Sequence, residues 1–164
     1  MGYRKSVKDF LDIQKRHPAI MERIIQEKTS ADHLLYVSMK YTKTTDVMLN
    51  LIERWRSMIE VAVDRLLEKA KKQRLIKSIP DAPKIKIGIS REVYKKNLAI
   101  IKTIDLYEFF KRVDSLEKIR ENEFRKNVTL KVLDKGNWID INMDKLKEYN
   151  SIIEGFINAI KQIL

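Results

Sequence analysis

Two histidines are the first residues to test for chemistry, and neither has the company that chemistry needs. His17 is wedged between Arg16 and Pro18, and His33 lies ten residues after Arg23. No cysteine is present to complete a metal-ligand set, and neither histidine has a ligand partner at metal-binding spacing. Gly2, Gly88, Gly136 and Gly155 are isolated, so no glycine-rich loop can cradle a phosphate. There is no nucleophile elbow. The carboxylates stand beside Lys or Arg at helical spacing and read as solvated ion pairs rather than an acid–base dyad. The expectation is a protein without catalytic residues, metal or cofactor.

What remains is positive charge, and it is unevenly placed. Residues 65–127 carry 18 Lys/Arg against nine Asp/Glu, whereas residues 1–64 carry 11 against nine and residues 128–164 carry five against five. A localised excess makes a directional field, and nucleic acid is the commonest acidic partner for one. The candidate nucleic-acid-binding residues are Arg65, Lys69, Lys71, Lys72, Arg74 and Lys77, continued by Lys84 and Lys86 and then by Arg91, Lys95, Lys96 and Lys102. Lysine and arginine in such a stripe position a phosphate backbone by releasing its counterions, and do not read bases. Tyr94, Tyr107, Phe110 and Trp138 are the aromatics that would stack bases if exposed. Arg54, Trp55, Arg56 and Trp138 are the candidate partner interface, because Trp and Arg dominate interface energies. The competing reading of the charge is a solvated thermophile surface, consistent with abundant Lys, Arg, Glu and Ile and only four glycines.

These residues need elements to carry them, and the hydrophobic period supplies mostly helices. From Ala19 to Ile79 there is no glycine and no proline. A first short helix around Ser6 to Leu11 ends at His17-Pro18, and Thr29 to Asp32 reads as the next helix start. Leu34, Val37, Tyr41, Thr44, Met48, Leu51, Trp55, Met58 and Ala62 then follow a three–four alternation, predicting one long helix over 31–77 in preference to a helical pair with a kink or turn at its weakest point, Thr42 to Asp46. Ser78 to Pro83 is a linker. Lys84 to Ile89 alternates lysine and isoleucine, which predicts a short strand or extended arm. Ser90 then caps a helix burying Tyr94, Leu98, Ile101, Phe109, Val113, Leu116 and Ile119, with a break near Thr103 to Asp105. After Asn127 the period changes: Val128, Leu130 and Val132, the turn Asp134 to Asn137, and Trp138 to Ile141 form a β-hairpin. Asn142 caps a short turn, and Ser151 to Glu154 is a capping box opening the last helix.

The fold class expected is mainly α: a long-helix bundle with a small C-terminal α+β subdomain containing the hairpin. It divides into a helical domain at 1–79, a linker with short strand and helix at 80–126, and a hairpin-plus-helix subdomain at 127–164. No run of eighteen apolar residues can span a membrane, and Met1 to Phe10 lacks the apolar core of a signal peptide, so a cytoplasmic protein is expected.

A helical domain first, a long helix bearing an arginine-containing segment, a linker and a small β-containing end resemble the archaeal GINS subunits of the helical-domain-first type. Leu51 to Ala62 is similar to the helix of that family, and Val128 to Leu164 is similar in outline to its C-terminal domain. The resemblance implies a non-enzymatic scaffold in the replicative helicase complex, with protein partners along the helices and the small domain, in a homo- or hetero-oligomer. A second likeness is to the HEPN helical RNases, whose arginine a few residues before a histidine is not matched by Arg16-His17 or by Arg23 and His33. A third is to the small, basic helical subunit of an RNA-guided defence complex.

Overall fold

The computed structural model describes residues 20–164. The first short helix and the His17-Pro18 break fall outside these residues, as does His17 itself. Among the described residues the chain is mainly α, five helices with one three-stranded antiparallel sheet near the C-terminal end.

Helix α1 spans residues 20–41, with no start at Thr29–Asp32; it contains a π-helical stretch at Leu34–Ser38. The wider π turn sets Leu35 and Met39 into the core and leaves Tyr36, Val37 and Tyr41 exposed. Of the expected stripe, Leu34 still packs against the core, whereas Val37 and Tyr41 are on the wrong face.

The long helix over 31–77 is two helices. The chain leaves helical geometry at 42–44, and α2 runs Thr45–Lys72. Thr44 is its N-cap, accepting the Val47 N–H at 3.4 Å. A distant residue completes the stop: the Glu123 carboxylate accepts the Thr45 N–H at 3.2 and 3.3 Å and the Thr45 hydroxyl as well. Arg120 reaches the same corner, donating to Asp46 at 2.6 Å and to Thr45 Oγ1 at 3.1 Å. The threonines lower helix propensity, and these bonds decide the break.

Helix α2 is the hub. Met48, Leu51, Trp55, Met58, Ile59, Ala62 and Leu66 have no exposed surface. It ends at Lys72, earlier than the sequence pattern suggests. Leu75 N–H bonds the Ala70 carbonyl at 2.9 Å and Arg74 N–H the Lys71 carbonyl at 3.0 Å, with Arg74 left-handed at φ 60°. That is a Schellman closure with arginine where glycine is usual.

The segment expected as a strand is helix α3, Pro83–Val93. Proline at the first helical position favours that outcome. Lys-Ile alternation also places Ile85 and Ile89 four apart on one helix face, and among the described residues no strand pairs with this segment. Ser90 is inside this helix, buried, and caps nothing. The real cap is Asn97, whose Oδ1 accepts the Ile100 N–H at 3.3 Å and opens α4, Leu98–Val113. No break occurs at Thr103–Asp105: Ile100, Ile104, Tyr107 and Phe110 keep one buried face through it, and the Thr103 hydroxyl is satisfied by the Ala99 carbonyl at 2.8 Å. Leu98, at the first position of α4, is exposed, and so is Ile119, which lies on a strand.

The sheet is β1 (Lys118–Glu121), β2 (Thr129–Asp134) and β3 (Asn137–Ile141) in that order. The expected hairpin is β2–β3, paired Asp134↔Asn137 through Leu130↔Ile141. Lys135 and Gly136 both have positive φ, 51° and 79°, the signature of a two-residue type I′ turn. Strand β1 is an addition that the sequence reading did not contain. Leu130, Val132 and Ile141 face the core, and Trp138, Ile119 and Lys131 face solvent. Asn142 caps α5, Met143–Ile163, accepting the Lys145 N–H at 2.9 Å. This helix passes through Ser151 unbroken, because Leu146, Tyr149, Ile153, Phe156 and Ile160 keep one buried face along its length. Core residues of the hairpin, α2, α4 and α5 belong to one hydrophobic cluster.

Besides Arg120–Asp46, a second ion pair ties the sheet to the bundle and carries a pH dependence. Arg112 on α4 donates to both carboxylate oxygens of Asp134 on β2 at 2.9 and 3.0 Å. The hydrogen bond from Arg112 holds the Asp134 carboxyl below its usual range. In the unfolded chain an aspartate titrates near its ordinary value of about 3.9. The pair's stabilisation is therefore full above that value and is lost as pH falls through the depressed native value. Asp134→Asn is expected to lower unfolding free energy at pH 7 by about 1–2 kcal/mol, with the difference from wild type shrinking below roughly pH 4. Denaturant titrations at pH 7 and pH 3 check it; an equal difference at both would show that the charge is not what Asp134 contributes.

Candidate nucleic-acid interface

The sequence-predicted cations separate into three groups once burial and partners are known. Arg65 is buried in α2, its side chain 3% exposed and paired with Glu68 at 3.4 Å. It belongs to the packing of α2 and cannot meet a large ligand. Lys86, Arg91 and Lys95 are neutralised within the chain: Lys86 by Asp64 at 2.9 Å, Arg91 by Asp105 and Glu108 at 2.7 and 2.9 Å, and Lys95 by Glu92 at 3.2 Å. The guanidinium of Arg91 is held protonated above its already high value, first by the hydrogen bond to Asp105 and then by that to Glu108.

Lys69, Lys71, Lys72, Arg74, Lys77 and Lys84 form the third group. None has a carboxylate partner among the described residues, and all but half-buried Lys69 are exposed. They occupy the last turn of α2, the loop after it and the first turn of α3, where only Glu68 and Asp81 carry negative charge. Tyr94 links the neighbouring turn to this end of the molecule, its hydroxyl donating to the Leu66 carbonyl at 2.8 Å. Lys96, exposed in that turn, adds a further cation. The α2 C-terminus itself favours cations through its dipole, which accounts for one or two of these lysines but not for the loop. Lys102 is exposed on α4.

The aromatics divide as sharply. Phe110 and Tyr107 are buried and cannot stack a base. Tyr107 donates to Glu60 at 2.7 Å, and its phenol is pushed up to about 12, first by burial and then by that carboxylate. Tyr94 is half-buried with its hydroxyl bonded as described. Trp138 is 45% exposed on the open sheet face and remains available to a partner. Trp55 is not: it has no exposed surface and stacks on Phe110 at 5.8 Å and 15°. Its flanking arginines reach other elements instead, Arg54 to Glu27 at 3.5 Å and Arg56 to Asp114 at 2.9 Å. Trp55 is an internal strut, because the apolar face of α2 is consumed by the chain's own core, while Arg54 is exposed and Arg56 half-buried beside it.

Exposed aromatics do exist elsewhere. Tyr36 is 52%, Tyr41 79% and Phe124 77% exposed. The helical stripe had assigned Tyr41 to the core, and Phe124 sits in a segment whose only sequence signal is the polar run Asn122 to Asn127. His33 is exposed on α1. Among the described residues no group of three His, Asp or Glu side chains could hold a metal ion, and no helix is long and apolar enough to cross a membrane.

No protein family, no curated protein and no solved structure matches this chain.

Proposed function

We propose that this protein is a non-catalytic nucleic-acid-binding subunit that holds a phosphate backbone along the edge formed by residues 69–84. The observation that carries the reading is the density of cations without carboxylate partners, among the described residues, between Lys69 and Lys84. Elsewhere the chain pairs cations with its own carboxylates at Lys28, Arg56, Lys86, Arg91, Arg120 and Lys131 and leaves others, such as Lys102 and Lys135, without one, but not in so dense a run along the chain. On this edge six cations have none. A thermophile surface gains from ion-pair networks and has no use for an unpaired run, whereas a phosphate-binding edge requires one. Arg74 adds to the case: a guanidinium is kept at a left-handed position that glycine fills at lower energy.

In this reading the chain works in the cytoplasm beside other protein subunits. Its resemblance to GINS subunits makes a replicative helicase complex the first assembly to test by affinity purification with nuclease. The direct test of the reading is a salt titration. Fluorescence anisotropy of a labelled duplex should show binding at 50 mM salt that weakens steeply towards 200 mM. The five exposed cations of the edge, Lys69 being half-buried, predict with one phosphate contact each a slope of log K against log salt near −4.5, from about −0.9 per contact. No binding at 50 mM, or an affinity flat in salt, would overturn the proposal.

A further inference from the structure

The loop between β1 and β2 holds a bulky residue in an unfavourable backbone state. Phe124 has φ 65° and is 77% exposed. A phenylalanine in the left-handed region is a backbone outlier, and such strain persists only where the surroundings impose it. Here they do. Its N–H donates to the Lys43 carbonyl at 2.6 Å, and the preceding Glu123 is bound at the start of α2. The loop is thus clamped onto the break between α1 and α2, and the clamp presents an aromatic ring to solvent instead of burying it.

Beside this clamp lies an open groove of about 690 Å³ between the end of α1, the loop and the first turn of α5. Its floor includes Leu35 and Met39, and Tyr36 stands on its wall. Four lysines line it, Lys40, Lys43, Lys126 and Lys147, against the single carboxylate of Asp144. Lys40, Lys126 and Lys147 have no carboxylate partner among the described residues; the Lys40 ammonium lies 5.9 Å from the ring of exposed Tyr41. The Lys43 ammonium donates to the Lys40 carbonyl at 2.7 Å. The π-helical turn at Leu34–Ser38 shapes this wall, and such turns gather at functional sites.

We infer that this groove is a second binding site, specific for single-stranded nucleic acid, in which the lysines follow the phosphates and Phe124, Tyr36 and Tyr41 stack on unpaired bases. Tyr36 lines the groove, exposed Tyr41 follows and contacts its Lys40, and exposed Phe124 is bonded through its backbone to its Lys43; a positive groove with such rings close by is what sequence-tolerant single-strand binding needs, and a duplex, whose bases are already stacked, gains nothing from the rings. An acidic protein segment would use the lysines but gives no reason for three exposed aromatics, one of them strained. The site rests on the proposed nucleic-acid function but on a different surface from the 69–84 edge.

The test compares a labelled 12-nucleotide oligothymidine, a duplex of equal length and a 12-residue polyglutamate, each titrated against wild type, Phe124→Ala, Phe124→Leu, Lys147→Glu and a Lys71→Glu/Lys72→Glu/Arg74→Glu variant. Phe124 is exposed and its backbone bond survives substitution, so its variants should melt like wild type. The expected result is a loss of about fivefold or more in single-strand affinity for both Phe124 variants, with duplex affinity unchanged. Lys147→Glu should weaken the single strand as well. Unchanged single-strand affinity in the Phe124 variants and in Lys147→Glu, with the triple variant weakened on both nucleic acids, would overturn the groove and leave the edge standing. Single-strand binding lost on Phe124→Ala, with no duplex binding by wild type, would leave the groove standing and overturn the edge. Polyglutamate binding that Lys147→Glu abolishes, with oligothymidine unaffected by any groove variant, would reassign the groove to an acidic protein segment and overturn the inference.

Discussion

Reversing Lys71, Lys72 and Arg74 to glutamate together is expected to lower duplex affinity by about a hundredfold or more at 150 mM salt. It should also reduce the magnitude of the salt slope by roughly 2.7, from about 0.9 for each phosphate contact removed. All three side chains are exposed and make no ion pair among the described residues, so the fold loses no partner in the exchange. The α2 C-terminus will tolerate the acidic residues less well, by a few tenths of a kcal/mol each. A circular-dichroism melt within a few degrees of wild type would therefore separate lost binding from lost structure. Affinity and slope both unchanged would remove the 69–84 edge from the binding surface.

Arg74 allows a sharper version. At φ 60° the arginine pays the left-handed backbone penalty, and glycine does not. Arg74→Gly should raise stability by up to about 1 kcal/mol while weakening duplex binding by removing one contact. Opposite signs on the two measurements would mark a residue retained for function against its structural preference. A loss in both would mean that the guanidinium supports the loop instead.

Trp55→Ala is expected to cost about 3–5 kcal/mol of unfolding free energy, a large fraction of the 5–15 kcal/mol typical of a domain. Trp55 is the largest fully buried side chain of α2 and abuts the aromatic group that joins α2 to α4 and α5. It stacks on Phe110, and Phe110 meets Tyr149 edge-on at 5.4 Å and 81°. Alanine would empty a cavity where three helices converge, and the bundle cannot collapse into it without moving the sheet. Trp55→Phe provides the control. The indole Nε1 is buried with no hydrogen-bond partner among the described residues, so phenylalanine removes an unsatisfied donor while keeping a ring against Phe110. It should cost less than about 2 kcal/mol. Urea titration of both variants distinguishes a core strut from an interface residue, because an interface tryptophan would give two small effects on the isolated chain.

The sequence by itself determined the helical class and the hairpin. Each depends on short-range chemistry. Lys135-Gly136 supplies the two positive-φ residues of the turn, and the period-two pattern on either side sets the register. The stripe from Met48 to Ala62 is long enough for its 3.6-residue period to identify the buried face of α2. The candidate cations were legible as a composition, since charge reads directly from residue type. Which of them stay unpaired was not, because Asp64, Asp105 and Glu108 reach Lys86 and Arg91 only after α2, α3 and α4 have packed. The tertiary structure alone decided the remainder. Lys84 to Ile89 satisfies the strand pattern and the helix pattern equally, and a strand also needs an edge to pair with. The chain stops at 42–44 because Glu123, 78 residues from Thr45, docks on the start of α2. That same long-range bond brings Phe124 to Lys43 and Lys126 to the lysines of α1. The groove has no counterpart in the sequence because no local stretch contains it; hydrogen bonds between segments distant in the chain assemble its walls.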